Sequence, residues 1–336
     1  MKQEFIDYLI CPACKSSSFK VIINAKNDIE IREGFVKCKN CLKEFSITKG
    51  VLSFLCNPSH VVERGQQGWI EYDCQPNALP FKVEDMYKYE SQLLSLPDGD
   101  GSGIFNQETI FRNIRDAANA FYQGLSELNL TGNEKLLDLG SDICWSTNKF
   151  AKAGCKCVAL DINHHLPVSD LYIHKNNVYF ERIIADMSDL PFNNGLFDLV
   201  VTITSLHHTS DLESTLKQIS RVLKPSGKAL FVNEPIRGIF HQIDFGDERS
   251  KELNLNDHWY TAKEYFLAAK KAGLRLRFRP YFLPVSSSDK LWKRMLKNLI
   301  LKCSFVIKNI DIPVFLLLFY PTGKVMIAQK VQGGKI

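Results

Sequence analysis

The stretch that decides the fold is Leu136-Leu-Asp-Leu-Gly-Ser-Asp-Ile-Cys-Trp-Ser, residues 136–146. Its apolar start predicts a buried strand, and Gly140 allows a tight turn into the helix that follows. The next predicted strand ends in Val158-Ala-Leu-Asp161, twenty-one residues after Gly140. A carboxylate there suits a grip on the ribose hydroxyls of NAD or S-adenosylmethionine alike, although many strand-end acids only cap turns.

Strands and helices alternate along the chain on both sides of this stretch. The predicted strands are 135–139, 155–160, 178–184, 196–203, 228–232 and 324–330, and the predicted helices are 107–130, 146–153, 211–223 and 262–272. Such alternation favours a mainly parallel sheet covered on both faces, with ligands bound beyond the carboxyl ends of the strands.

A downstream stretch chooses between the two cofactors. Residues 185–208 run Ala-Asp-Met-Ser-Asp-Leu-Pro-Phe-Asn-Asn-Gly-Leu-Phe-Asp-Leu-Val-Val-Thr-Ile-Thr-Ser-Leu-His-His, and 216–235 continue with Leu-Lys-Gln-Ile-Ser-Arg-Val-Leu-Lys-Pro-Ser-Gly-Lys-Ala-Leu-Phe-Val-Asn-Glu-Pro. Over 133–235 the chain resembles class I S-adenosylmethionine-dependent methyltransferases of the small-molecule and quinone-methylating type. The resemblance implies an α/β, Rossmann-like seven-stranded methyltransferase sheet ending in an antiparallel strand, for which 324–330 is the candidate.

The resemblance also implies a set of cofactor residues. The loop holding the methionine part matches Asp138 and Gly140, the ribose carboxylate matches Asp161, and the wall beside the transferable methyl begins at Thr204. The full implied set is Asp138, Gly140, Ser141, Asp161, Ile162, Asp186 (facing the adenine amino group), Met187 (packing on the ring) and Thr204.

The glycine loop departs from the family pattern Asp-x-Gly-x-Gly-x-Gly. Asp142 and Cys144 stand at the second and third glycine positions. A carboxylate at position 142 would repel the carboxylate of the cofactor, so we expect it to reduce cofactor affinity.

His207 and His208, directly after the fourth predicted strand, are the candidate catalytic residues. Either imidazole can accept a proton near neutral pH when the methyl acceptor must lose one; the alternative is that one packs and the other meets solvent. Weaker candidates, after the fifth strand, are His241, Asp244, His258 and Tyr260. No Asn-Pro-Pro-Tyr, Asp-Pro-Pro-Tyr or Pro-Cys motif follows the fourth strand, which disfavours nucleic-acid amino and pyrimidine C5 methylation.

Four of the ten cysteines form two C-x-x-C pairs, Cys11/Cys14 and Cys38/Cys41. This spacing predicts a closed, structural Zn²⁺ site; reduced thiols without metal are the alternative. The surrounding residues 1–56 resemble the small zinc-ribbon protein that activates tRNA, rRNA and protein methyltransferases. The resemblance implies a docking or stabilising module beside the catalytic domain. The C-x-C at Cys155 and Cys157 is expected to be buried and inert.

The segment 270–308 carries eleven basic residues and one acidic residue, so the formal net charge of +5 hides a basic patch. Apolar residues recur at helical spacing from Leu291 to Ile307. Such a segment suits an anionic lipid or membrane surface, a lid helix with solvated lysines, or RNA contact.

The 336 residues therefore predict three parts: a zinc-ribbon-like domain at 1–56, a packed connector or lid at 57–107, and a class I methyltransferase domain at 108–336. With no apolar run of about 18 residues and no signal peptide, a cytoplasmic protein is expected. The leading hypothesis is methyl transfer to a small molecule that is lipid-like, glycosidic or phosphorylated. The alternatives are an rRNA or tRNA methyltransferase and a degenerate methyltransferase fold kept as a scaffold.

Overall fold

The computed structural model describes residues 1–55, 60–73, 83–98, 108–209, 211–238, 252–253, 255–279, 290–292, 295, 311–312 and 324–331. Its strands are β1 Phe19–Lys26, β2 Ile31–Cys38, β3 Glu44–Thr48, β4 Val51–Ser53, β5 Lys135–Leu139, β6 Lys156–Asp161, β7 Phe180–Ile184, β8 Phe197–Ile203, β9 Leu223–Val232, β10 Leu274–Arg279 and β11 Val325–Lys330. Its α-helices are α1 His60–Asp73, α2 Val83–Met86, α3 Glu90–Ser95, α4 Glu108–Leu125, α5 Trp145–Lys152, α6 Asp170–Lys175, α7 Leu212–Val222 and α8 Ala262–Lys271.

The second half of the sheet has the topology that the sequence predicts. The strand order is β7-β6-β5-β8-β9-β11-β10, with β5 to β9 parallel and β11 antiparallel to both neighbours. The central strands are apolar runs because helices cover both faces of the sheet. Two helix starts are set by side chains: Asp211 accepts from the Ser214 amide, and Thr261 forms a capping box with Glu264. The predicted α/β, Rossmann-like fold class is confirmed.

The sheet is longer than seven strands, which the sequence did not indicate. Strands β1 to β4 continue it to 11 strands, because β4 pairs in parallel with β7 through Leu52 opposite Ile183. The Phe54 amide extends this pairing by donating to the Ile184 carbonyl at 2.8 Å. The N-terminal residues are therefore joined to the parallel sheet by backbone hydrogen bonds. The predicted hairpin between the two cysteine pairs is present as β1 and β2.

A buried ion network lies at the same junction. The Arg182 side chain, on β7, is fully buried and bonds both Glu30, which precedes β2, and Asp170 of α6. Arg32 of β2 bonds the same two carboxylates, at 2.6 Å to Glu30 and 2.7 Å to Asp170. Two guanidinium groups thus share two carboxylates across the boundary between the N-terminal strands and the parallel sheet.

Strand β10 was missed in the sequence and changes the view of the basic segment. Its alternating Leu and Arg residues place Arg275, Arg277 and Arg279 on a strand, not on a helix. Arg279 pairs with Glu127 at 2.6 Å, and Arg277 and Arg279 both pair with Asp311. Part of the basic charge is therefore neutralised by acids outside 270–308. Most of 281–310 lies outside the described residues.

Within 281–310, three apolar side chains are described, and all are more than half exposed. They are Leu291, Trp292 and Met295. Among the described residues, no helix is long and apolar enough to cross a membrane.

Candidate active site

The predicted cofactor residues meet at one edge of the sheet, at the carboxyl ends of β5 to β8. The Gly140 amide donates to the Leu160 carbonyl of β6 at 2.8 Å, and the Ala185 amide after β7 donates to the Asp161 carbonyl at 3.0 Å. The Ser205 hydroxyl after β8 donates to the Leu139 carbonyl at 2.8 Å. These bonds join four strand ends into one continuous rim, where ligands of such sheets bind.

Gly140 lies where no other residue fits. Its φ is +69°, and a Cβ added to it would lie 2.3 Å from the Cβ of Ser205. The missing side chain lets the turn after β5 approach the turn after β8. Ser141 is buried beside it, with its amide and hydroxyl directed at the Leu160 carbonyl.

The carboxylate of Asp138 is buried and fixes the start of α5. It accepts hydrogen bonds from the hydroxyls of Ser146 and Thr147, both at 2.6 Å. Burial raises its pKa to about 6, against the two hydroxyl bonds that lower it. Asp138 thus holds the glycine loop and α5 together.

Asp142 has a partner in the structure, which the sequence did not indicate. Its φ of +43° lies in the region that glycine prefers, which is consistent with the family's glycine there. Its Oδ1 lies 2.7 Å from Nδ1 of the buried His165 and 3.4 Å from Nδ2 of the Asn163 side chain. The Asp142 carboxylate is therefore hydrogen-bonded to the loop after β6, while its effect on cofactor affinity stays a prediction.

Asp161 is held in a fixed orientation by two backbone amides. Its Oδ2 accepts from the Asp142 amide at 2.7 Å, and its Oδ1 accepts from the Asn163 amide at 2.8 Å. Burial and, to a smaller extent, the charge of Asp142 raise its pKa to about 6, against the effect of these two amides. Each oxygen keeps a second lone pair, so the carboxylate can still accept from a pair of hydroxyls.

Helix α1 passes over this rim from one side to the other. Gln66 donates through its side-chain amide to the Ile162 carbonyl at 2.9 Å, beside Asp161. Three residues along the helix, Trp69 contacts the His208 ring edge-on, with ring centroids 5.2 Å apart. A helix of the predicted connector therefore spans the cofactor end and the histidine end of the site.

The residues after β7 form a short turn. Asp186 accepts from the Ser188 amide at 2.8 Å and from its hydroxyl at 2.6 Å. Met187 is half-buried and packs against the main apolar core. Both directly follow Ala185, whose amide donates to the Asp161 carbonyl at the rim.

Glu234, which was not singled out in the sequence, organises the turn after β8. Its buried carboxylate accepts from the amides of Ser205, Leu206 and His207 at 3.0–3.1 Å, and from Nδ1 of His207 at 2.7 Å. The Thr202 hydroxyl adds a bond at 3.4 Å. An acid two residues after an apolar strand is the only trace of this in the sequence.

The two candidate histidines lie together beyond β8. Their ring centroids are 4.0 Å apart, and both rings use Nδ1 as a donor: His207 to Glu234, and His208 to the Leu255 carbonyl at 3.0 Å. Burial lowers the pKa of His208 well below its usual value, and His207 lowers it further. Both imidazoles therefore present Nε2, with its lone pair, to their surroundings.

The remaining predicted residues are placed as follows. Thr204 has a φ of +52° and accepts from the Asn233 side chain at 2.9 Å, so it shapes the turn before the histidines. His258 lies nearby and donates its amide to the His207 carbonyl at 2.9 Å, and the Tyr260 hydroxyl donates to the Thr209 carbonyl. His241 and Asp244 lie outside the described residues.

The four N-terminal cysteines converge on one point. Their sulfur atoms all lie within 4.8 Å of one another, with Cys11 and Cys41 3.6 Å apart and Cys14 and Cys38 3.5 Å apart. Four thiolates bound to Zn²⁺ at about 2.3 Å in a tetrahedron are about 3.8 Å apart, so the donor set fits that ion. Cys155 and Cys157 are buried, as expected.

Known proteins match the central part of the chain. Residues 137–231 match the family described as "Methyltransferase domain". A sarcosine/dimethylglycine N-methyltransferase of Halorhodospira halochloris is 30% identical over 137 residues, covering 39% of this chain and 48% of that protein. A demethylmenaquinone methyltransferase of Corynebacterium glutamicum is 32% identical over 101 residues, covering 30% and 42%. The chain thus spans about half the length of these curated relatives.

One solved structure is similar over more of the chain. The phosphoethanolamine N-methyltransferase 2 of Haemonchus contortus, in complex with S-adenosyl-L-methionine, aligns with a TM-score of 0.46 at 15% identity. The alignment covers 78% of this chain and 60% of that one.

Proposed function

We propose that the protein is an S-adenosylmethionine-dependent methyltransferase that acts on a small-molecule acceptor. The observation that carries the proposal is the match of residues 137–231 to a methyltransferase domain, together with the rim at which the matched strands end. The names of the curated relatives state small-molecule acceptors. Their acceptors do not identify the acceptor of this chain, because the match covers only part of each protein.

The residues of the rim fit the cofactor. Gly140 lets the turn after β5 close against Ser205, which shapes the loop that we assign to the methionine part. The orientated carboxylate of Asp161 suits the ribose hydroxyls, and we assign the adenine to Asp186 and Met187, as the resemblance implies. When bound, the cofactor supplies a methyl group on a sulfonium, which an acceptor lone pair attacks in line as the carbon–sulfur bond breaks. The protein contributes by orienting the acceptor at about 3–3.5 Å from that carbon.

We assign the acceptor side to His207 and His208, as the sequence predicts. The hydrogen bonds that orient the two rings are made by Nδ1, so neither Nε2 atom takes part in them. Both rings lie beyond β8, next to the turn at Thr204. Helix α1 covers this end through Trp69, which limits access of water. What the two Nε2 atoms bind decides which acceptors react.

We also propose that the N-terminal cysteines hold one structural Zn²⁺, and that residues 1–56 act as a stabilising module. The converging thiolates support the ion, and the β4–β7 pairing and the Arg182 network support the stabilising role. An RNA acceptor is the second candidate. The pairing of Arg277 and Arg279 with Asp311 weakens the case for it, since those cations are already compensated.

The test is transfer of labelled methyl from S-adenosylmethionine. The protein is incubated with a small-molecule extract and, separately, with purified rRNA and tRNA at low salt. Label in the small-molecule fraction, abolished in Asp161→Ala, is the expected result. Label only in RNA would overturn the small-molecule proposal, and no label in either would leave the scaffold alternative.

A further inference from the structure

Asp257 approaches the two histidines from the segment between β9 and α8. One nitrogen of His207, one nitrogen of His208 and a carboxylate oxygen of Asp257 all lie within 4.8 Å of one another. The Oδ1 of Asp257 lies 3.7 Å from Nε2 of His207. Among the described residues, this buried oxygen accepts no hydrogen bond. An orphaned carboxylate oxygen facing two imidazole nitrogens indicates a missing positively charged partner.

The hydrogen bonds behind the rings prepare them as ligands. Metal-binding histidines usually donate the other ring N–H to a carboxylate or a backbone carbonyl, which fixes the tautomer and raises the basicity of the free nitrogen. His207 donates to Glu234 and His208 donates to the Leu255 carbonyl. Trp69 contacts the His208 ring edge-on. The bond to a carboxylate is thus present at His207 and the bond to a backbone carbonyl at its neighbour His208.

The distances are compatible with one ion. Two atoms bound to one cation at about 2.1 Å lie at most about 4.2 Å apart. The 3.7 Å between His207 and Asp257 already satisfies this, and the outer limit of 4.8 Å requires a closure of about 0.6 Å at most. Side-chain rotation of Asp257, which is partly exposed, can supply that closure.

We propose that His207, His208 and Asp257 bind one divalent transition-metal cation at the acceptor side of the site. Two imidazoles and one carboxylate suit Mn²⁺, Fe²⁺, Co²⁺ or Zn²⁺, and three protein ligands leave positions open. An acceptor hydroxyl that occupies an open position loses its proton to water more readily, which leaves an oxygen nucleophile. The inference rests on the proposed function and narrows the acceptor to a metal-binding hydroxyl compound.

The test counts metal in the full-length protein. Mn²⁺ prefers nitrogen and oxygen ligands over thiolates, so the cysteine site takes up little of it. Equilibrium dialysis, with the loss of the free Mn²⁺ resonance signal as a second readout, should give one bound Mn²⁺ per wild-type chain. Asp257→Asn and His208→Gln should each weaken Mn²⁺ binding by about 100-fold or more, and Glu234→Gln by about 10–100-fold. His174→Gln, at an exposed histidine on α6, is the matched control and should bind Mn²⁺ as the wild type does.

Two further measurements keep the outcomes apart. In separate samples dialysed against Zn²⁺ instead of Mn²⁺, zinc content should be two equivalents per wild-type chain and one in Asp257→Asn, whose retained zinc reports an intact cysteine site and fold. Wild-type protein that binds no Mn²⁺ and one Zn²⁺ would overturn the proposal and leave His207 as a proton acceptor without metal. Binding of S-adenosylhomocysteine is measured on the same samples. If the wild type binds S-adenosylhomocysteine but no metal at the histidine site, the inference fails and the methyltransferase function stands. If it binds the metal but no S-adenosylhomocysteine, the proposed function is refuted.

Discussion

Glu234→Gln is the sharpest perturbation of the acceptor side, because it changes one atom and removes one charge. In the wild type, Oε2 accepts from the amide and from Nδ1 of His207, while Oε1 accepts from the amides of Ser205 and Leu206 and from the Thr202 hydroxyl. Glutamine must present its NH₂ group to one of these two sets of donors. If the NH₂ group faces the donors to Oε1, two backbone amides lose their acceptor. If it faces the donors to Oε2, one backbone amide loses its acceptor.

The expected loss of stability follows from the number of backbone amides left without an acceptor. A buried amide without an acceptor costs about 1–3 kcal/mol, and the bonds that remain lose the strength that the charge gave them. We therefore expect the free energy of unfolding to fall by about 2–4 kcal/mol. His207 avoids a second clash by moving its proton from Nδ1 to Nε2, so that Nδ1 accepts from the new NH₂ group. The variant then loses the Nε2 lone pair that faces Asp257.

Two assays follow these effects. Urea unfolding measures the stability, with Glu44→Gln on exposed β3 as a matched control that should stay within about 0.5 kcal/mol of the wild type. Long-range ¹H–¹⁵N correlation spectra report which imidazole nitrogen carries the proton. The reasoning is refuted if Glu234→Gln is as stable as the control and His207 keeps its proton on Nδ1.

Three other predictions concern the loop, the ribose carboxylate and the junction. Asp142→Gly should change S-adenosylhomocysteine affinity by less than about tenfold, because the carboxylate is tied to His165; a larger gain by calorimetry would show that it repels the cofactor. Affinity should fall as pH drops through about 6, by up to tenfold per pH unit, because protonated Asp161 accepts poorly from hydroxyls; an unchanged pH profile in Asp161→Asn would contradict this. Arg182→Met removes the fully buried cation of the junction, which leaves Glu30 with Arg32 and the Met1 amino group and Asp170 with Arg32; it should cost about 3–5 kcal/mol in urea unfolding, whereas a loss under about 1 kcal/mol would mean that the remaining cations compensate both carboxylates.

The parts of the fold that were predictable are those with a local signal. Strands β5 to β9 are apolar runs because both of their faces are buried, and α7 shows one apolar face at helical spacing. Strand β10 also carries a local signal, because apolar residues alternate with arginines over Leu274–Arg279. The pairing of its arginines with Asp311 and Glu127 carries none, because these acids are distant in sequence. The three-residue β4 has too few residues for a pattern, and its pairing with β7 is decided by tertiary contacts.

The candidate site divides in the same way. Gly140 and Asp161 were predictable because turn geometry and ribose binding require those residue types at that spacing. Glu234 and Asp257 were not, since their roles depend on which donors and rings the folded chain brings to them. Asp142 was identified as a departure, but its partner His165 comes from a different turn.

The central claim is that the rim at the ends of β5 to β8 binds S-adenosylmethionine. Calorimetric titration of the full-length protein with S-adenosylhomocysteine tests it most directly. We expect saturable binding of one molecule per chain, lost in Asp161→Ala and kept in His174→Gln. Folded wild-type protein that gives no binding heat at any S-adenosylhomocysteine concentration, with dialysis agreeing, would contradict it and favour a scaffold role.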